Sequence, residues 1–267
     1  MRILHICNDY CGSKVHLNLY EHLGNSSIEQ AVYTYYRGAN KTGKNEPTRD
    51  DIKVMYRPIL KKWHRVVYHI KIRDVTKDLM QQVKGPDYDI IHATTLFSDG
   101  PLALAMKKKY GTPYVVTLRN TDINEFLGFA PHTWHKGIEV LKQASKIVFI
   151  SKAPMEKFCR HIAIKPILNI IKDKFVLQPN GVDSFWLNNI ATETPENNKN
   201  IIYVGKFDRN KNVKRLMKAV LDLKPQFPEL QLHLVGGEGS QWGGQFHIVN
   251  NILERSYIMA RFMTSRF

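Results

Sequence analysis

Four consecutive residues, Arg119, Asn120, Thr121 and Asp122, follow the apolar run Tyr114–Leu118. They supply one cation, one carboxylate and two neutral hydrogen-bonding groups. Ligands of open parallel sheets bind beyond the carboxyl ends of the strands, so this cluster is placed for substrate binding. The same residues also suit a helix N-cap and a solvated loop. Gly12, in the stretch 8–14 after the first apolar run, lets backbone approach a ligand closely. The helix that follows offers free N–H groups to a phosphate; a plain turn needs the same glycine. Lys206 directly follows the run IIYVG, and Lys211 lies five positions on. Both cations can converge on one anion near a helix start. Gly236, Gly237, Glu238 and Gly239 form a glycine-rich turn able to take a phosphate or a ribose. His92 ends a strand and reads as a hydrogen-bonded core residue.

These groups need elements to hold them. Apolar runs at 3–7, 31–36, 52–56, 90–93, 114–118 and 146–151 read as strands. Val15, Leu19 and Leu23 share one helical face, with Gly24 ending that helix. A helix entered through Pro58 carries Ile59, Trp63, Val66, Val67 and Ile70 on one side, flanked by Lys61, Lys62, Arg65, Lys71 and Arg73. That pattern fits an interfacial helix on an anionic membrane, or a stripe packed on a sheet. A turn at Gly85 and Pro86 precedes strand 90–93. Further helices span 101–110, stopped by Gly111, and about 134–144. Gly38 to Asp51 is a polar loop. The polar, proline-containing stretch 188–200 reads as a linker, after which strand, helix and strand recur. Continuous apolar strands alternating with helices predict an α/β fold of two Rossmann-like units.

The bulk properties narrow the partners. The chain has 267 residues, room for about two ordinary domains. No apolar run reaches the roughly 18 residues of a membrane span, and no secretory leader is evident. Cys7, Cys11 and Cys159 make a poor disulfide framework and too small a set for zinc, so no metal or cofactor is expected. These features favour the cytoplasm. A formal charge of +15 suits an anionic partner, whether phosphorylated substrate, acidic membrane or nucleic acid, or a well-solvated basic surface. Nucleic acid is disfavoured because no reading helix, aromatic RNA-binding strand or zinc pattern is present. The lack of G-x-G-x-x-G disfavours a dinucleotide site.

Taken in order, the segments resemble retaining glycosyltransferases of family 4. The carriers are YVVTLRNTD at 114–122, ASKIVFISKAPMEKF at 144–158, VLQPNGVDSFW at 176–186, IIYVGKFDRNKNVKRLMKAV at 201–220 and LHLVGGEG at 232–239. The resemblance implies a GT-B fold of two doubly wound domains. Residues 1–183 would bind a saccharide or lipid-linked acceptor, and 184–267 would form an incomplete nucleoside diphosphate sugar site, hinged near 179–183. It implies that Gly12, Lys206, Lys211 and Gly237 hold the donor, its diphosphate kept by basic side chains without a metal. Arg119, where many members have histidine, and Asp122 would serve catalysis, Arg119 electrostatically. Polysaccharide or glycolipid assembly at the inner membrane face is the implied setting. Two departures stand out. The family carries two glutamates separated by seven residues in its second domain. Here only Glu21 and Glu29 have that spacing, in the first. The tail after Gly239 resembles no segment of the family. These departures lead to the expectation of a truncated second domain and an inactive isolated chain, able at most to bind acceptor or partner.

Overall fold

The computed structural model describes residues 1–23, 27–38, 41–83, 87–190, 199–205, 207, 211–236 and 258–262. The chain divides into two compact units, Met1–Asn189 and Ile190–Phe267.

The first unit contains strands β1 (Arg2–Ile6), β2 (Glu29–Tyr35), β3 (Ile52–Arg57), β4 (Ile90–Ala93), β5 (Tyr114–Leu118), β6 (Lys146–Phe149) and β7 (Phe175–Leu177). Its helices are α1 (Lys14–Leu23), α2 (Tyr68–Gln82), α3 (Gly100–Tyr110), α4 (Leu127–Phe129), α5 (Trp134–Gln143), α6 (Lys152–Arg160), α7 (Leu168–Ile171) and α8 (Ser184–Asn188). The strands form one parallel sheet in the order β3-β2-β1-β4-β5-β6-β7. The order reverses between β1 and β4, which is where a doubly wound sheet opens a crevice at its carboxyl edge.

Side chains alternate between the two faces of each strand. On one face Leu4, Ile6, Ile91, Ala93, Val116, Leu118, Ile147 and Phe149 are buried. They join one core with Val75 and Leu79 of α2, Leu102 and Met106 of α3, and Val140 and Leu141 of α5. Each large side chain so buried contributes about 1.5–3 kcal/mol. The helices approach closely through glycines. A Cβ on Gly137 would lie 2.5 Å from the Phe97 ring, and one on Gly100 2.8 Å from Val140. Gly111 ends α3 at φ +79°, the left-handed cap expected of it. On the other face Ile90, Val115 and Val148 are only half-buried.

The helix expected from Pro58 does not form as one piece. Residues 58–61 are irregular, a single 3-10 turn covers Lys62–Arg65, and α2 begins at Tyr68. The cause is His64. Its buried ring accepts from the Lys61 N–H at Nδ1 (3.1 Å) and faces Asp74 at Nε2 (3.3 Å), closing the turn on itself. The expected stripe is therefore split. Ile59 packs on the core and Ile70 is half-buried, whereas Trp63, Val66 and Val67 are exposed. The expected helix end at Gly24, the turn at Gly85 and Pro86, and most of the 188–200 stretch lie outside the described residues.

The second unit pairs β8 (Asn200–Val204), β9 (Gln231–Gly236) and β10 (Ile258–Phe262) in the parallel order β10-β9-β8. Helix α9 (Val213–Leu223) connects β8 to β9. Phe207, Val213, Met217, Val220, Leu232 and Leu234 form its core. Gly236 is at φ +156°, and a Cβ there would lie 1.8 Å from the Gly205 carbonyl oxygen. Only glycine permits that approach of two backbones.

Candidate functional site at the carboxyl edge of the first sheet

The switch point between β1 and β4 is organised around Asp99, which precedes α3 and is fully buried. Oδ1 accepts from the Asn8 N–H (3.2 Å) and the Tyr35 hydroxyl (3.0 Å), and Oδ2 accepts from the Thr94 and Thr95 hydroxyls (both 2.8 Å). One carboxylate thus ties together the ends of β1, β2 and β4. Burial pushes its pKa up to about 7 against the pull of those hydroxyls.

Asp122 acts in the same way at the end of the neighbouring strand, β5. It is 1% exposed. Its carboxylate accepts from the Phe97 N–H (3.1 Å) and the Arg119 N–H (2.9 Å). Burial raises its pKa to about 6. A side chain so enclosed is closed off from solvent, and its two backbone partners make Asp122 a holder of the loops after β4 and β5. This differs from the catalytic assignment that its sequence neighbourhood invites.

Arg119 does reach the edge. It is half-buried, donates from Nε to the Thr94 carbonyl (3.4 Å) and from Nη1 to the Asn180 amide oxygen (3.1 Å). Its guanidinium thereby bridges β4 to the segment after β7. Asp183, three residues beyond Asn180, accepts from Asn18 of α1 (2.8 Å) and caps α8 by accepting from the Phe185 N–H (2.9 Å). Gly12 is exposed in the turn Tyr10–Gly12 just before α1. Its missing Cβ would meet only the far end of the Asp9 side chain.

Behind this edge runs a chain of side chains on the half-buried sheet face. Gln30 of β2 gives its amide N–H to the Tyr20 carbonyl (2.9 Å), so its oxygen accepts from His5 Nε2 (3.0 Å). His5 Nδ1 then accepts from His92 Nδ1 (3.1 Å), and His92 Nε2 accepts from the Thr117 hydroxyl (3.0 Å). This direction requires both imidazoles neutral. Burial holds His5 well below the usual range and, with Arg119, brings His92 down to about 4. His16 of α1 is likewise buried and held at about 3, by burial and then by Arg119. Its Nδ1 has no hydrogen-bond partner among the described residues. Cys7 is also buried, with its thiol pushed up to about 12 by desolvation, so it is no nucleophile.

In the second unit Lys211 is exposed, two residues before α9. Lys206 and Gly237 lie outside the described residues. Among the described residues no group of three or more His, Cys, Asp and Glu side chains is placed to hold a metal ion. No helix there is long and apolar enough to cross a membrane. Asp99, Asn180 and His5 do not stand out in the sequence, whereas His92 is the hydrogen-bonded core residue expected there. The one available signal is polar residues set inside apolar strands.

The model for Glycosyltransferase Family 4 matches residues 12–184, and that for Glycosyl transferases group 1 matches 185–255. The second match runs past Gly239, so some of the tail that resembled no family segment does match one. No curated protein matches the chain. Among solved structures, the E. coli trehalose-6-phosphate protein bound with UDP-2-fluoro glucose is 11% identical with a TM-score of 0.66, over 100% of this chain and 74% of that one. UDP-GlcNAc 2-epimerase from Neisseria meningitidis bound to UDP-GlcNAc is 12% identical with a TM-score of 0.61, over 100% and 73%. The S. aureus MnaA–UDP structure is 12% identical with a TM-score of 0.56, over 97% and 67%. At such identity these likenesses carry the fold, an α/β fold of GT-B type. The family matches carry more, since the first alone covers more than half of the chain: this chain belongs to glycosyltransferase family 4.

Proposed function

We propose that this glycosyltransferase works on a nucleoside diphosphate sugar, moving the sugar to a saccharide or lipid-linked acceptor with retention, in polysaccharide or glycolipid assembly. The observation that carries this reading is the pair of consecutive family matches spanning residues 12–255. Solved proteins of the same fold bound to UDP-2-fluoro glucose, UDP-GlcNAc and UDP support a nucleotide-sugar donor. The first unit, expected over 1–183 and extending to Asn189, is assigned to the acceptor, and the second, from Ile190, to the donor. Lys206, Lys211 and Gly237 are assigned to the donor diphosphate, with Gly12 as a further donor contact. Positive charge there stabilises the leaving group as the sugar's bond to phosphate breaks. Arg119 is given an electrostatic role in catalysis, since a guanidinium cannot take a proton at neutral pH. The setting is the cytoplasm, at the inner face of the membrane, where the basic turn around Trp63 meets anionic lipid.

A second reading is that the chain on its own holds ligands without turning them over. The observation behind it is that residues 184–267 contain no two glutamates separated by seven residues. Orienting the sugar demands fixed partners for its hydroxyls. The test is to incubate the chain with uridine-, guanosine- and adenosine-diphosphate sugars and follow nucleotide release. Background release supports the second reading. Release above background that disappears in Lys206→Ala supports full transferase activity.

A further inference from the structure

Helix α2 turns Tyr68, Val75 and Leu79 into the core. Lys71 lies three residues after Tyr68 and four before Val75, so it falls on that same face. By sequence it belongs with the solvated cations that flank the apolar stripe, and Lys61, Lys62 and Arg65 are indeed exposed. Lys71 is instead half-buried, and its ammonium donates to the buried Ser98 hydroxyl (3.1 Å) in the loop after β4. An ammonium drawn from water towards a core face needs a partner that carries charge. Ser98 carries none.

A second cation stands beside it. Arg37, just beyond β2, is half-buried and donates from Nε and Nη2 to the Lys61 carbonyl (3.3 and 3.2 Å). Its Nη1 has no partner among the described residues, and neither Arg37 nor Lys71 forms an ion pair there. Asp99 lies near Lys71, but each of its oxygens already accepts two hydrogen bonds. The start of α2 offers no acidic residue and no capping side chain. Burial lowers the Lys71 pKa, Asp99 opposes this, and Arg37 lowers it again. Arg37 follows β2 and Ser98 follows β4, so the two cations stand at the carboxyl edge, where ligands of such sheets bind.

We propose that Lys71 and Arg37 bind an oxyanion carried by the acceptor, which makes the acceptor an acidic saccharide, either a sugar phosphate or a uronic acid. The ammonium has two further donors and the guanidinium its Nη1 group, enough to hold one oxyanion by charge-assisted hydrogen bonds. The pair decides specificity, because a neutral saccharide leaves the ammonium without a counterion. Arg119 bonds to Thr94 and Asn180 and to neither cation's partners, so anchoring the acceptor is separate from its electrostatic role. This inference rests on the reading of the first unit as the acceptor side.

The whole chain is titrated calorimetrically at physiological salt with glucose 6-phosphate, glucuronate, glucose and inorganic phosphate. Saturable binding of at least one acidic sugar is expected, and the tighter of the two tells phosphate from carboxylate. Glucose and inorganic phosphate bind more weakly. Lys71→Met and Arg37→Gln each weaken the acidic sugar roughly tenfold or more, the loss of one charged contact. Lys77→Ala, at an exposed position of the same helix, leaves binding unchanged, which sets aside attraction by the net charge. The urea midpoint of Lys71→Met equals or exceeds that of the parent chain, because an apolar side chain suits that face; a lysine kept for structure alone would lower the midpoint and leave binding intact. The proposal is overturned if neither acidic sugar binds saturably, or if glucose or inorganic phosphate binds as tightly. It is equally overturned if folded Lys71→Met binds as well as the parent chain. Should that variant fail to fold, Arg37→Gln decides in the same way. Nucleotide-sugar binding on the same samples separates the two readings: if it persists where the acidic sugars fail to bind, only this inference falls.

Discussion

Arg119 and Asp122 stand three residues apart and do different work. The guanidinium reaches the sheet edge, while the carboxylate turns inward to hold two loops. Asp122→Asn should therefore destabilise the first unit, because an amide N–H would face a backbone N–H. A buried donor left unmatched costs about 1–3 kcal/mol, readable as a lower urea midpoint. A midpoint equal to that of the parent chain would contradict the positioning role. His16 allows a second test. Its folded pKa, about 3, lies below the usual 6.5 because of burial and Arg119. The folded state thus binds fewer protons than the unfolded one. Its stability contribution is present above pH 6.5 and is lost as pH falls toward 3. His16→Leu removes both that loss and a buried nitrogen without a hydrogen-bond partner among the described residues. Urea midpoints should rise in the variant, and by more at about pH 5 than at about pH 7. Parallel pH dependence in the two proteins would count against it. The roles of these residues were hidden in the sequence because each depends on distant chain. Asp122 needs the loop at Phe97, and the His5–His92 chain needs the register of four strands.

At the scale of elements, apolar runs such as Tyr114–Leu118 and Ile90–Ala93 were legible, since a strand buried on one face and half-buried on the other is apolar at most positions, with Thr117 and His92 the exceptions. Helix α3 was legible from Pro101 and Gly111, which fix its two ends. Strand β7 was not, because three residues make no pattern. The helix from Pro58 was misread because apolar spacing alone cannot show His64 turning inward. Its consequence is a turn that leaves Trp63, Val66 and Val67 exposed beside Lys61, Lys62 and Arg65. Vesicle co-sedimentation should show more recovery with anionic than with neutral lipid, reduced by Trp63→Ala together with Val66→Ser. Equal recovery with both vesicles would dismiss this surface as a membrane contact. Gly236 gives a sharper test of the second unit. Gly236→Ala places a methyl group on the Gly205 carbonyl, which either parts β8 from β9 or strains both. Amide exchange in β8 and β9 should quicken, with the first unit unchanged. Unaltered protection of β9 would show that the two backbones do not meet there.

For the whole molecule, fold and family were legible because the motifs occur in order along the chain, and the family matches cover the same stretches. The donor residues were legible only as positions. Lys206 and Gly237 fall outside the described residues, and Lys211 is seen only as an exposed side chain before α9. The net charge of +15 would draw any anion to the surface, so binding must be shown to be local. Calorimetric titration with uridine-, guanosine- and adenosine-diphosphate sugars at physiological salt does this. Saturable binding of one nucleotide class is expected, with Lys206→Ala and Lys211→Ala each costing roughly 1.5–3 kcal/mol, the worth of one hydrogen bond to a charged group. Lys152→Ala, on α6 of the first unit, should leave it unchanged. Absence of nucleotide binding, or equal affinity in all three variants and the parent chain, would contradict the assignment of this chain to nucleotide-sugar chemistry.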